Sequence, residues 1–358
     1  MKALLPVLFL LLAMSAKAQT FQSPESVEWD EANQRWLIAN TDDGKILQQT
    51  VGQSPADFAS GCTQGPYGIE ILDDVVYAND GGRIRGFSLA TGTEVFNLNL
   101  GATFLNGLTT DGDSVLYATD FSGDKIYRIN PTTSAFYLLT SSLPAAPNGI
   151  IYDAANERCL FVNWGSNAKI KAISILPPYT VTDVMSTTLG NCDGISRDQY
   201  GYYYVTSWSN NRLNRVSPDF SGTPTALSTV LSYPADIDIK LDVIDTAGVP
   251  NTNSNTVVYI PLASSAGIDN EQLPESSLHF FYNAGSETGI VDVVLPMHEE
   301  ITITVHDLSG KVVFSELKTP EFAGKNYFEL PLGQLTKGTY VLTVQQQNWS
   351  ASKKWICQ

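Results

Sequence analysis

The chain has 358 residues, room for one large and one small domain or for two middling ones, and only 16% of them are charged while Gly, Thr, Ser, Asn and Tyr are plentiful. That is the composition of a strand-rich extracellular protein and argues against a helical cytosolic one. A formal charge of −16 repels phosphate polymers, which sets nucleic-acid binding aside and makes a cation the natural partner.

Residues 1–18 carry Lys2, an apolar run from Leu4 to Met14, and Ala16-Lys17-Ala18 as a small-residue cleavage site. They read as a secretory signal peptide, too short to span a membrane. No cysteine follows the cut, so no lipid anchor is expected, and no later run is long and apolar enough to form a membrane span. Loss of Lys2 and Lys17 takes the net charge to −18; residues 278–358 hold 6 basic and 8 acidic residues, so the excess lies before them.

From residue 24 a four-residue register returns five times: Pro24-Glu25-Ser26-Val27, Pro66-Tyr67-Gly68-Ile69, Leu105-Asn106-Gly107-Leu108, Pro147-Asn148-Gly149-Ile150, Cys192-Asp193-Gly194-Ile195 and Pro234-Ala235-Asp236-Ile237. The third residues are 42, 39, 42, 45 and 42 positions apart. After each register come a short apolar strand, an acidic or Gly/Asn turn, and a second strand rich in aromatic and β-branched residues, such as Trp36 to Asn40 or Cys159 to Asn163. A basic-aliphatic pair (Lys45-Ile46, Arg83-Ile84, Lys125-Ile126, Lys169-Ile170, Arg212-Leu213) opens a third strand, and most units show a weaker fourth. About forty residues and four strands per unit predict a six-bladed β-propeller over residues 19–268. The sixth unit departs from the plan. Val257 to Pro261 reads as its second strand, about twenty residues after its first, Gly267-Ile268 lacks the basic partner, and Gln19 to Ser23 is expected to pair there and help close the ring.

Beyond a linker at 269–277, alternating strands resume at Leu278–Tyr282, Gly289–Leu295, Glu300–His306, Lys311–Phe314, Tyr327–Leu330, Tyr340–Gln345 and Lys353–Ile356. Seven short strands in about eighty residues predict a small immunoglobulin-like β-sandwich. Within 278–358 lie Asp307-Leu308-Ser309-Gly310-Lys311-Val312-Val313, Gly324-Lys325-Asn326, then Leu332, Leu335, Gly338, Tyr340, Leu342 and Val344 in spaced order, and Lys353-Lys354. This stretch resembles the C-terminal sorting domain of the bacterial type IX secretion system, with Asn283-Ala284 where such domains often have Asn-Pro. The resemblance implies an export address with no part in chemistry, and a secreted or cell-surface protein.

The repeat region resembles the gluconolactonase and regucalcin (senescence marker protein) family and, more loosely, NHL-repeat propellers. The resemblance implies one divalent metal in the central channel, held by Glu25, by Asn148 of Pro-Asn-Gly and by Asp193 of Asp-Gly, with Asn106 contacting substrate. Phe104 stands where the family often has an arginine, a departure that bears on the usual sugar-acid substrate.

The residues themselves point the same way. Innermost strands of a propeller line its channel, so the second register positions form a ring, and Glu25, Asn106, Asn148 and Asp193 are oxygen donors. Two carboxylates and two amides suit a hard cation, calcium first, with magnesium, manganese and zinc open. The competing reading is that Asn-Gly and Asp-Gly are ordinary turn formers, although Glu25 before Ser26 has no such explanation. All three histidines, His279, His298 and His306, lie in the C-terminal domain, which leaves a carboxylate as the only general base for a propeller hydrolase, with Asp193 the candidate. The loops after the second strands open on the ring's face, so Asp120, Trp164 and Trp208 join Asn106 as candidate substrate contacts, the tryptophans either stacking on a sugar ring or packing between blades. Acids in the opposite turns are expected to be solvated, and the basic residue opening each third strand to pair with an acid of the neighbouring blade. Cys159 with Cys192 is the first disulfide to test, against isolated buried thiols. The leading function is divalent-metal-dependent hydrolysis of a lactone or related ester. The alternatives are a non-enzymatic surface propeller that binds glycan or protein, and a metal that only staples the ring.

Overall fold

The computed structural model describes residues 20–262 except 51 and 243, and residues 278–357 except 284–287, 296–298, 308–309, 321–323 and 347–348. The expected signal peptide, the linker and Gly267-Ile268 lie outside them. The chain divides into two compact units, one holding residues up to Ile239 with Gly248–Tyr259, the other Lys240–Ala247 with Ile260 onward.

Six antiparallel sheets follow one another along the chain and make the six-bladed propeller. The first holds β1 (Pro24–Asp30), β2 (Arg35–Asn40), β3 (Lys45–Gln49) and β4 (Ala56–Ser60), the second β5 (Ile69–Leu72), β6 (Val75–Asp80), β7 (Arg83–Ser88) and β8 (Glu94–Asn99). The third holds β9 (Leu105–Thr110), β10 (Leu116–Asp120), β11 (Lys125–Asn130) and β12 (Ala135–Thr140), the fourth β13 (Pro147–Asp153), β14 (Arg158–Asn163), β15 (Lys169–Ser174) and β16 (Val181–Ser186). β17 (Cys192–Arg197), β18 (Tyr203–Ser207), β19 (Arg212–Val216) and β20 (Thr225–Ala226) form the fifth, and β21 (Asp238–Lys240), β22 (Thr246–Asn251) and β23 (Thr256–Pro261) the sixth. The apolar core lies between neighbouring blades, as where Leu160, Val162 and Ile170 of one meet Ile195, Tyr203 and Val205 of the next.

The register glycines let the inner strands approach. A Cβ on Gly68 would stand 2.2 Å from the Asn106 carbonyl oxygen, one on Gly107 2.5 Å from that of Asn148, and one on Gly149 2.4 Å from that of Asp193. Polar side chains of the second strands tie second-position carbonyls across blades: Asn79 Nδ2 donates to Asn106 O (2.8 Å), Thr119 Oγ1 to Asn148 O (2.8 Å) and Thr206 Oγ1 to Ala235 O (2.6 Å). Ser26 and Asp236 are the two registers' exceptions to glycine, and they face each other. Ser26 Oγ donates to Asp236 Oδ2 (3.0 Å) while Asp236 N donates to Glu25 O (2.9 Å), which closes the ring between the last blade and the first.

The second strand of blade six is Thr246–Asn251, and Val257 to Pro261 belongs to the third. Gly248 within that strand is small because a Cβ there would come 2.9 Å from the Trp36 ring. Among its described residues the stretch before Pro24 forms no strand; Phe21 instead packs on the core of Val27, Trp36, Ile38 and Leu47, beside Val257 and Tyr259. Cys159 and Cys192 are free buried thiols in separate cores, between blades three and four and between blades four and five, so no disulfide joins them. Turn acids are not uniformly solvated either: Asp30 and Asp153 are buried and pair with Arg35 and Arg158, both at 2.8 Å. Lys45 and Lys169 pair with Asp57 and Asp183 on the fourth strand of their own blade, not with a neighbour.

The C-terminal unit carries a three-stranded sheet, β24 (Leu278–Asn283), β25 (Thr288–Leu295) and β28 (Gly324–Pro331), and a four-stranded one, β27 (Val312–Lys318), β26 (Ile301–Asp307), β29 (Gly338–Gln346) and β30 (Trp349–Cys357). Val291, Val293, Ile303, Val305, Leu342 and Val344 alternate inward from both sheets into one core, which makes the predicted sandwich.

Candidate functional site

In β1, β9, β13 and β17 the pairing to the second strand slips inside the register. Pro24 faces Asn40 and Val27 faces Ile38, so three steps on the inner strand match two on its partner; Pro147 to Ile150 and Cys192 to Ile195 repeat the slip. This is a β-bulge, the device that re-aims a side chain beside a site. It sends the second-position residue into the channel while the third presses on the next blade.

Glu25, Asn106, Asn148 and Asp193 are all buried, the last two to 1% and 3% exposure. Burial pushes the Glu25 carboxyl up to about 7, helped by the charge of Asp236 and opposed by the Thr252 hydroxyl. Asp193 is raised well above the usual carboxylate range, first by burial and then by Glu25 and Asp236. The N–H groups of Trp208 and Asn148 pull Asp193 the other way, although Trp208 Nε1 stops short of a hydrogen bond of ordinary geometry. Asn148 Nδ2 donates to Cys192 O (3.2 Å), and its Oδ1, buried beside Asp193, has no hydrogen-bond partner.

That orphaned oxygen is the feature that fits a cation. A buried carbonyl without a donor costs free energy unless something positive faces it, and here the nearest charges are carboxylates. Among the described residues no three His, Cys, Asp or Glu come close enough to hold a metal by themselves, so the candidate set of Glu25, Asn148 and Asp193 depends on the Asn148 amide. Its donors are all oxygens, which suits calcium or magnesium better than a softer ion.

Farther along the channel lies a second acidic tier. The fifth residues from each register's start are Glu28, Glu70, Thr109, Ile151, Ser196 and Asp238. Glu28 is raised well above the usual range by burial and then by Glu70, Asp238 and Asp236, and Glu70 by burial and then by Asp238 and Asp236. Asp236 is pushed up to about 7, chiefly by burial. These side chains are only half-buried by exposure because they line a channel, yet protein surrounds them. The second register position alone does not reveal this tier; its signal in the sequence is the acid at the fifth position of three of the six registers. On the opposite face, Glu28, Asp30, Glu31, Asp73 and Asp74 line a cleft of about 720 Å³.

At the mouth, six rings touch in succession. Tyr67 meets Phe104 edge to face at 4.6 Å between centroids, Phe104 meets Phe121 at 5.9 Å, Phe121 meets Trp164 at 5.9 Å, Trp164 meets Trp208 at 5.0 Å, and Trp208 stacks on Tyr233 at 4.5 Å. Each is partly exposed. Trp164 and Trp208 therefore do pack across blades, but as parts of a collar open to solvent. Asp120 plays another part: it is fully buried, and its carboxylate accepts N–H groups of Thr103 (2.9 Å), Phe104 (2.8 Å) and Gly123 (2.9 Å), bracing the loop that carries Phe104.

Residues 287–358 match the family described as the secretion system C-terminal sorting domain. That match marks the chain for export by the type IX machinery to the cell surface or the extracellular space. No curated protein sequence matches the chain. Solved structures similar to it include a chain of a nidogen/laminin complex (19% identity, TM-score 0.57, covering 66% of this chain and 92% of that one). A gluconolactonase from Xanthomonas campestris is similar at 14% identity, TM-score 0.57, with 68% and 87% covered. A protein of unknown function from Bacteroides thetaiotaomicron follows at 14% identity, TM-score 0.55, with 68% and 70% covered. At these identities the likeness establishes the propeller fold and nothing finer.

Proposed function

We propose that the exported propeller is a divalent-cation-dependent hydrolase of lactones or related esters. The observation that carries this reading is the unpartnered Asn148 Oδ1, buried beside Asp193 at the mouth that Glu25 also lines. Likeness of fold to a gluconolactonase is consistent with it. Glu25, Asn148 and Asp193 would hold the ion, calcium before magnesium, manganese or zinc, and the bound ion would supply electrophilic pull on a carbonyl oxygen.

The chain's own residues supply the rest. Asp193 in its ionised form takes a proton from water as the water oxygen bonds to the carbonyl carbon. The ring C–O bond then breaks, and the departing oxygen takes up that proton to give a hydroxy acid. Burial of Asp193 strengthens its basicity, while Asn106, at the same register position, would orient the ring oxygen.

The test is a panel of neutral lactones assayed with calcium, magnesium, manganese, zinc or chelator. Turnover is expected only with a cation. Asp193→Asn should lower it by about 10²–10⁴-fold, the usual contribution of a general base, and Glu25→Gln should weaken the cation response by roughly tenfold or more because ligand charge sets affinity. Thermal stabilisation by cation without turnover would overturn the hydrolase and leave a binding propeller with a stapling ion.

A further inference from the structure

The aromatic collar is not explained by packing alone. Core aromatics of this propeller, such as Trp36, Tyr117 and Phe161, are almost wholly buried, whereas the six collar rings all keep exposed surface at the one face where the oxygen donors gather. The collar is also asymmetric. Its rings come from the loops of blades two to five and from Tyr233 just before blade six, while the equivalent loop position of blade one is Thr41, whose hydroxyl bonds Pro66 O (2.7 Å), and that of blade six is Thr252, which touches Pro24 O (3.1 Å). One end rests beside Glu25, whose charge reaches Tyr67, and the other beside Asp193, which Trp208 faces. The mouth thus has an apolar aromatic wall over most of its rim, a short polar gap at the seam, and an acidic floor.

No lysine or arginine occupies any of the collar positions or any second, third or fifth position of the six registers. A ligand bearing a carboxylate or phosphate would meet carboxylates below and no cationic side chain among the collar positions. A polyhydroxylated ring would lose water from its hydroxyls against a wall that offers few partners. A flat apolar ring gains on both counts, since edge-to-face and stacked contacts with aromatic rings are worth about 0.5–1.5 kcal/mol each beyond area burial.

We infer that the site takes a neutral lactone or ester fused to, or substituted with, an aromatic or other flat apolar ring, the carbonyl directed to the acidic floor and the ring against Phe104, Phe121 and Trp164. This rests on the hydrolase reading for the chemistry but not for the binding, and the test separates the two. Lactams that resist hydrolysis serve as binding probes: 3,4-dihydro-2-quinolinone carries a fused benzene ring, and δ-valerolactam is its ringless counterpart. By calorimetry on the full mature chain with calcium, the fused probe is expected to bind at least about tenfold more tightly, a gap of 1.4 kcal/mol. Phe121→Ala and Trp164→Ala should shrink the gap to within about twofold, with Phe121→Leu retaining more of it and serving if the alanine variant does not fold. Equal affinity for the two probes, or a gap unchanged in the variants, would overturn the inference. The matching lactones, dihydrocoumarin and δ-valerolactone, report on the reaction. Selective binding without turnover of either would uphold the collar and remove the hydrolase, and equal turnover with equal binding would do the reverse.

Discussion

Asn148 and Asp193 show how one residue can satisfy two demands at once. Each sits beside a glycine because the next blade's backbone leaves no room for a Cβ there, and the bulge turns each toward the channel. The sequence singled out both for the candidate site because the register repeats while its second residue changes chemistry from blade to blade. Glu28, Glu70 and Asp238 were not legible, because glutamate within an apolar strand reads as the solvent face of an alternating pattern, and only closure of the ring turns that face into a channel wall. These carboxyls bind protons more tightly in the folded chain than in the unfolded one. Native protein therefore holds the excess of protons above the ordinary carboxyl range, and stability must fall as pH rises through that window. Without added cation, the melting temperature is expected to decline as pH rises from about 4.5 through about 7, from the ordinary carboxyl value to the raised value that Glu25 and Asp236 have in the folded chain. Calcium should flatten the decline. Glu70→Gln removes one of the mutually repelling groups, and it should raise the melting temperature at pH 8 by roughly 2–4 °C while leaving it nearly unchanged at pH 4.5.

Among the elements, the inner strands carry the most constraint. A methyl on Gly149 would stand 2.4 Å from a backbone oxygen and 2.7 Å from the Gly194 Cα, atoms that cannot swing away as a side-chain tip could. Gly149→Ala should cost about 1–3 kcal/mol, the range for overpacking, and a denaturant melt of the isolated variant measures it. Gly222, where no atom lies within 4 Å of an added Cβ, offers the contrast of a glycine kept for its φ of +73°. The four-strand plan of the first five blades was visible because strands two and three carry β-branched and aromatic runs with a basic residue between them. Blade six hid its second strand behind Gly248 and Pro250. The sequence records there a local composition against strand, while the packing of Trp36 against Gly248 and the hydrogen bond from Ala235 N to Pro250 O (3.0 Å) decide the outcome.

For the whole molecule, the match of residues 287–358 to a sorting domain makes delivery separable from chemistry. A chain lacking residues 287–358 is expected to remain inside the producing cell, scored by fractionation against the full chain. The absence of lysine and arginine from the channel-lining register positions has a further result. Glu25, Glu28, Glu70, Asp193, Asp236 and Asp238 share a confined space in which the charges acting on each are mostly those of the others. As they ionise, such walls must draw in positive counterions, and any divalent ion that enters expels protons from the same groups. For this channel, acidity and cation supply are one variable: a rise in pH and the entry of a divalent ion would each strip protons from the same carboxyls.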